Sequence, residues 1–217
     1  MNDTLRLDRA AGVLVRDDGT DYDPGTRSWS IPAARPTRRE ALEAITPVEA
    51  LRWLVRERRV PMRVPVGVIG PREASTAQLA AAEAVGAGLA DIGLPVICGG
   101  RGGVMQAVCE GVQRAGGVSI GLLPEADPDL ANRYATLVVA TGIGEARNAL
   151  IARSARSLVA IGDSFGTLSE VALGRQFGKR VIGLLGAARV EGVVHVDGVA
   201  DALDLVARDV LGLDPGR

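Results

Sequence analysis

From Val64 onward, short apolar runs alternate with longer stretches in which apolar residues recur at helical spacing. The runs Val64–Ile69, Leu94–Cys98, Val118–Leu123, Leu137–Ala140, Ser157–Ile161, Arg180–Leu185 and Val193–Val196 predict strands. Between them, Ser75–Asp91, Gly103–Ala115, Gly144–Ala155, Thr167–Phe177 and Ala200–Val210 predict helices, with a polar loop at Pro124–Tyr134. The strands show no polar alternation, which is the pattern of strands buried on both faces. Regular strand–helix alternation then implies a parallel sheet with right-handed crossovers. The expected class is α/β, a doubly wound Rossmann-like parallel sheet with helices on both faces. In such a sheet the ligand crevice lies at the carboxyl ends of the strands.

Residues 1–63 break this rhythm and predict a small N-terminal appendage ahead of a Rossmann-like domain at 64–217. Turn residues at 17–19 and 23–25 separate Val13-Leu14-Val15 from Trp29-Ser30-Ile31, a candidate hairpin. Thr46-Pro47-Val48-Glu49 reads as a helix N-cap with proline at the first helical position. The helix Pro47–Arg58 places Leu51, Leu54 and Val55 on one face. Between Arg27 and Arg63 there are nine Arg and four Glu. A charge run of this kind reads either as a solvated face or as a lid or partner-binding element beside an acidic ligand.

Two glycine-rich turns stand at the carboxyl ends of predicted strands. The first is Cys98-Gly99-Gly100-Arg101-Gly102-Gly103-Val104-Met105; the second runs from Ile161-Gly162-Asp163-Ser164 through Gly166-Thr167 to Glu170. Each opens a helix, so unpaired N–H groups and the helix dipole favour an anion there. The turn Gly70-Pro71-Arg72 lies at the same edge, and Arg72 and Arg101 are candidates to grip a phosphate. Thr141–Asn148 starts a further helix, with Arg147 and Asn148 in its first turns. Thr167 can donate to a phosphate oxygen. Glu170 would repel one, so its role is either dipole pairing or a separate task at a ribose or leaving group. Neither turn has G-x-G-x-x-G spacing or a Walker lysine, which leaves little case for NAD(P) or P-loop chemistry.

Composition removes several other classes. Net charge is −1, so nothing global points to nucleic acid. Lys179 is the sole lysine among 25 basic residues and falls at a helix end, so Schiff-base and pyridoxal phosphate chemistry lack their amine. Cys98 and Cys109 make neither a metal spacing nor a disulfide framework and read as small buried residues, not a redox pair. His195 is the only histidine and is far from the glycine turns in sequence. No metal site is expected. No signal peptide or membrane span is evident, so a cytoplasmic protein is expected.

The stretches Val66–Gly70, Cys98–Met105, Gly121–Pro124, Ala131-Asn132, Thr141–Asn148 and Gly166–Glu170 together resemble the SLOG superfamily, which includes the Lonely Guy proteins long labelled lysine decarboxylases. Within it the chain is more similar to the branch containing molybdenum cofactor carriers. The resemblance covers Val64 to about Leu185. It implies a homodimer and a crevice for a small phosphorylated nucleotide-like or pterin ligand, with molybdenum cofactor or a nucleotide as cargo and no required cofactor. With the turns read above, the candidate ligand residues are Gly70, Arg72, Gly99, Gly100, Arg101, Gly102, Gly103, Met105, Asn148, Gly162, Asp163, Ser164, Gly166 and Thr167.

Lonely Guy enzymes cleave the N-glycosidic bond of nucleoside monophosphates. Arg147 and Glu170 match the two residues that carry that chemistry. Asn148 stands where the enzymes have lysine, and Ile161-Gly162-Asp163 stands where they have Pro-Gly-Gly. Two readings therefore stay open: a binding protein, and a nucleoside 5′-monophosphate phosphoribohydrolase with Arg147 and Glu170 catalytic. A third is a nucleotide-sensing module in which residues 1–63 engage a partner. Lysine decarboxylation is excluded by the missing amine.

Overall fold

The computed structural model describes residues 4–32 and 42–214. Pro36, Arg35, Arg38, Arg39 and Glu40 of the arginine-rich run lie outside these residues. The chain divides into two compact units, one of residues up to 61 together with 207–214, the other Met62–Val206.

In the first unit, β1 (Leu5–Asp8), β2 (Val13–Arg16), β3 (Asp21–Asp23), β4 (Ser28–Ser30) and β5 (Leu42–Ile45) form an antiparallel sheet in the order β4-β3-β2-β1-β5. The Val13 and Trp29 segments are thus in one sheet but do not pair. β3 lies between them, with Tyr22 opposite Trp29 and the two rings 5.1 Å apart. Tyr22 supplies a single apolar position between polar neighbours, too weak a signal to read as a strand.

Helix α1 (Pro47–Arg56) opens with the expected cap. Thr46 Oγ1 accepts the Glu49 N–H and the Glu49 carboxylate accepts the Thr46 N–H, a reciprocal box. Ala50, Leu51, Trp53 and Leu54 are buried. The Trp29 indole N–H donates to the Leu211 carbonyl at 2.6 Å, and Arg16 donates to the Leu213 carbonyl at 3.0 Å. These bonds hold the C-terminal residues within the first unit.

The second unit is the α/β fold. Seven parallel strands run in the order β12 (Val193–His195), β11 (Arg180–Leu184), β10 (Ser157–Ile161), β6 (Val66–Ile69), β7 (Val96–Cys98), β8 (Ser119–Leu123), β9 (Leu137–Ala140). Every residue of β6, β7 and β10 is buried, as strands covered on both faces require. Helices α2 (Thr76–Ile92) and α3 (Val104–Arg114) pack on each other, as do α4 (Asn148–Ser154) and α5 (Phe165–Gln176). Helix α6 (Val199–Leu211) follows β12. The predicted helix Gly144–Ala155 is a 3-10 turn at Gly144–Arg147 leading into α4.

Strand order reverses between β6 and β10. The chain steps outward from β6 to β9, then returns to lay β10 on the other side of β6. Crossovers leaving β6 and β10 therefore diverge, and a gap opens above their carboxyl ends. Ile69, Leu158, Ala160, Ile151, Ala152 and Val171 form the core beneath it. Among the described residues no helix is long and apolar enough to cross a membrane.

Candidate functional site

A cleft of about 850 Å³ lies at this reversal. Twelve of the residues singled out in the sequence line it: Gly70, Arg72, Gly99, Arg101, Met105, Arg147, Asn148, Asp163, Ser164, Gly166, Thr167 and Glu170. Four do not, and three of these have packing positions instead. A methyl on Gly100 would lie 3.0 Å from Leu123 Cδ2, and Gly103 turns against the carbonyls of Pro71 and Arg72. Gly162 packs against the Gln78 amide and donates its N–H to the Leu184 carbonyl. Gly102 faces open space outside the cleft.

Arg147 is the centre of the cleft floor. Its side chain is buried, and Nη1 donates to Asn148 Oδ1 at 2.8 Å and to Glu170 Oε1 at 3.3 Å. The chain of donors continues: Asn148 Nδ2 donates to Ser169 Oγ at 2.9 Å, and Ser169 Oγ donates to the Gly166 carbonyl at 2.7 Å. A methyl on Gly99 would stand 2.5 Å from Arg147 Nη2, so the bare backbone there is what admits the guanidinium. Arg147 Nε has no partner among the described residues.

Glu170 is 6% exposed. Burial raises its pKa to about 7, against the pull of Arg147, with Glu145 adding to the rise. A carboxyl at that value changes protonation state near neutral pH, as a general acid or base must.

The rim sorts its charges. Arg101 pairs with Glu125 and approaches Glu145 at 3.5 Å, so the first turn is tied to the polar loop and to the 3-10 turn. Arg72 is exposed and makes no ion pair among the described residues. On α5 the helix end is partly capped by its own chain. Asp163 Oδ1 accepts the Ser164 N–H at 2.8 Å, and Ser164 Oγ accepts the Thr167 N–H at 3.1 Å. No turn, loop or side-chain hydrogen bond takes the N–H groups of Phe165 and Gly166 among the described residues, and a methyl added to Gly166 would meet nothing nearer than Ser164 Oγ at 3.8 Å. The Asp163 carboxylate thus turns onto its own backbone.

The family model of the SLOG cluster4 family matches residues 63–205. The chain belongs to the SLOG cluster4 family. A related protein from Archaeoglobus fulgidus is 38% identical over 128 residues, which cover 59% of this chain and 84% of that protein. Among solved structures, the molybdenum cofactor binding protein of Rippkaea orientalis is similar at 31% identity and a TM-score of 0.63, covering 67% of this chain and 96% of that one. The molybdenum cofactor carrier protein of Chlamydomonas reinhardtii is similar at 31% identity and a TM-score of 0.63, covering 68% and 99%.

The SLOG cleft also contains residues that sequence reasoning passed over: Ile69, Pro71, Glu73, Glu145, Phe165 and Ser169. Ser169 had a legible signal, one helical turn from Gly166 and beside Glu170. Glu145 had none, because its approach to Arg101 joins two turns far apart in the chain. Phe165 is 95% exposed at the start of α5, where an apolar side chain gains nothing from the helix itself. Among the described residues no cluster of three His, Cys, Asp or Glu side chains is placed to hold a metal ion. His195 lies on the outer strand β12, away from the cleft.

Proposed function

We propose that this SLOG protein binds a small phosphorylated ligand, a nucleotide or a pterin, as molybdenum cofactor carriers do with their cargo. The observation that carries the reading is the open end of α5 within the cleft: the first-turn N–H groups of Phe165 and Gly166, which no turn or side-chain bond takes, the open face of Gly166 and the unpaired Arg72. Backbone donors and an arginine together suit a phosphoryl group. A cleft of about 850 Å³ is large enough for a ring system beyond it. Gly70, Gly99, Met105 and Asn148 would shape the floor. Gly100, Gly102, Gly103 and Gly162 would act by setting the turns. The test is mass spectrometry of ligand released from the purified protein, together with thermal shifts against nucleoside monophosphates and phosphorylated pterins. A shift that grows with ligand concentration is expected. A protein that carries nothing and shifts with none of them would sink the reading.

A second reading rests on one specific feature, the Glu170 carboxyl at about pKa 7 held against Arg147. In a phosphoribohydrolase Glu170 would take a proton from the attacking water, and Arg147 would steady developing negative charge. Incubation with nucleoside 5′-monophosphates and detection of free base decides it, with Glu170→Ala as the control.

We further infer a homodimer. Its support is the outer strand β9, whose Leu137, Val138 and Val139 are all exposed, with Leu130 and Ile143 exposed nearby in the chain. Light scattering on the full chain would show twice the monomer mass.

A further inference from the structure

Cys98 and Cys109 take no part in the proposed function, yet the fold brings them together. Cys98 ends β7 and Cys109 lies in α3. Their Sγ atoms are 3.5 Å apart, and both side chains are buried. The pair shares its hydrogen-bond donors with the first glycine turn. The Gly100 N–H points to Cys98 Sγ at 3.4 Å. Asn132 Nδ2, 3.7 Å from Cys109 Sγ, also donates to the carbonyls of Gly100 at 3.0 Å and Arg101 at 3.2 Å.

The two thiols are not equivalent. The hydrogen bond from Cys98 draws the Cys109 thiol below its ordinary value, helped by Ser119 and Asn132. The same bond, with full burial, pushes Cys98 well above its own. An acidified thiol beside a protonated partner has one sulfur ready to attack and one ready to resolve. The gap to bonding distance, about 2.05 Å, is about 1.5 Å.

We propose that Cys98 and Cys109 are an oxidisable dithiol beneath the first glycine turn, converted to a disulfide by a hydroperoxide and restored by a small thiol. The Cys109 thiolate attacks one peroxide oxygen, the O–O bond breaks, and hydroxide leaves and takes up a proton as water. The resulting sulfenic acid is attacked by Cys98 Sγ. The S–S bond forms, the S–O bond breaks, and the hydroxyl leaves as water with the Cys98 proton. Two thiols and one hydrogen peroxide thus give one disulfide and two waters. Both sulfurs are buried, and displacement of the segment from the exposed residues 126–130 to Asn132, which lies 3.7 Å from Cys109 Sγ, would admit the peroxide.

Closing the gap moves Cys98 and with it Gly99, the residue that makes room for the Arg147 guanidinium. The Gly100 N–H, which points to Cys98 Sγ, is displaced with it. Oxidation therefore alters the cleft floor whatever the cleft holds.

The experiment treats the full chain with hydrogen peroxide, denatures it in alkylating reagent, and measures mass. The expected product is a monomer lighter by two hydrogens, with neither cysteine alkylated, a Cys98–Cys109 cross-linked peptide, and recovery by dithiothreitol. Cys98→Ser should stop at a sulfenic acid on Cys109 that dimedone traps. Two alkylatable thiols after treatment, separate over-oxidation of each sulfur, or a cross-link only between chains would overturn the proposal. Hydrogen exchange at residues 99–103 should differ between the two forms. Identical exchange would overturn the coupling to the turn.

Discussion

The two glycine turns look alike in sequence and are built for different ends. In the first, glycine admits protein. A methyl on Gly99 would meet Arg147, on Gly100 the backbone of Gly121 at 3.1 Å, and on Gly103 the carbonyl of Pro71 at 2.5 Å. The first N–H of α3 is already taken by that same Pro71 carbonyl at 3.1 Å. In the second turn, Gly162 packs on the Gln78 amide but Gly166 is crowded by nothing, and no turn or side-chain hydrogen bond takes the N–H groups of Phe165 and Gly166. A run of glycines therefore does not by itself mark a ligand contact. Glycines that let chain segments cross give rigidity, and glycines that face empty space leave a place for something else.

Arg147 joins the two. It packs on Gly99 of the first turn, pairs with Glu170 in the helix of the second, and reaches Gly166 through Asn148 and Ser169. Replacing it should have the largest effect in the molecule. Arg147→Met leaves Glu170 buried without its cation, and loss of one partner of a buried pair costs about 3–5 kcal/mol. Chemical denaturation should show that loss. The double variant Arg147→Met, Glu170→Gln should recover much of it, because the orphaned carboxyl is gone. Equal stability of wild type and Arg147→Met would mean the two turns are not coupled through this residue.

Glu170 sharpens the same point by titration. Its folded pKa, about 7, lies above its ordinary value of 4.5. The folded state therefore holds this proton more tightly than the unfolded chain does. Its contribution to stability is fully present below about pH 4.5 and is lost as pH rises through about 7. The full span corresponds to about 3 kcal/mol. In Glu170→Gln that decline between pH 5 and pH 8 should be absent. If the variant keeps the wild-type slope, the carboxyl does not titrate where its burial places it.

The difference between the turns also marks the limit of sequence reading here. Continuous apolar runs placed the seven parallel strands within a residue or two, although only the inner strands are buried on both faces: the edge strands β9 and β12 carry the same apolar pattern and are largely exposed. The pairing of Arg147 with Glu170 was suggested only through resemblance. Nothing local to either residue reports that the other is within hydrogen-bonding distance. Which glycines crowd against protein was illegible for the same reason: the atoms they meet, such as the Pro71 carbonyl or Arg147 Nη2, come from distant segments. The cysteine contact was hidden too, since a strand end and the middle of the next helix meet only once the crossover is closed. In the N-terminal unit β1, β3 and β5 were all missed; β3 carries one buried residue, Tyr22, and so no period at all.

Gly103 tests the packing side of the comparison. It has φ +66°, in the left-handed region, and its added methyl would strike main-chain carbonyls that cannot rotate away. Gly103→Ala should cost about 2–3 kcal/mol, combining backbone strain with a forced shift of the 71–72 segment. Gly102, next to it in an unobstructed position, is the internal control, and Gly102→Ala should be within about 0.5 kcal/mol of wild type.

Gly166→Ala should not destabilise the fold and should have the most specific effect on binding. The new methyl meets nothing nearer than Ser164 Oγ at 3.8 Å, and alanine favours a helix over glycine, so the fold should lose nothing or gain up to about 1 kcal/mol. The methyl nevertheless stands where a phosphoryl group would approach the Phe165 and Gly166 N–H groups. Affinity for a phosphorylated probe should fall about tenfold or more, while Gly102→Ala leaves it unchanged. Arg72→Ala should weaken the same probe, more so at low salt, because an exposed ion contact is screened as ionic strength rises. A Gly166→Ala protein that binds as well as wild type would move the phosphoryl group away from α5. The second turn would then be another packing device like the first, and the contrast between them would disappear.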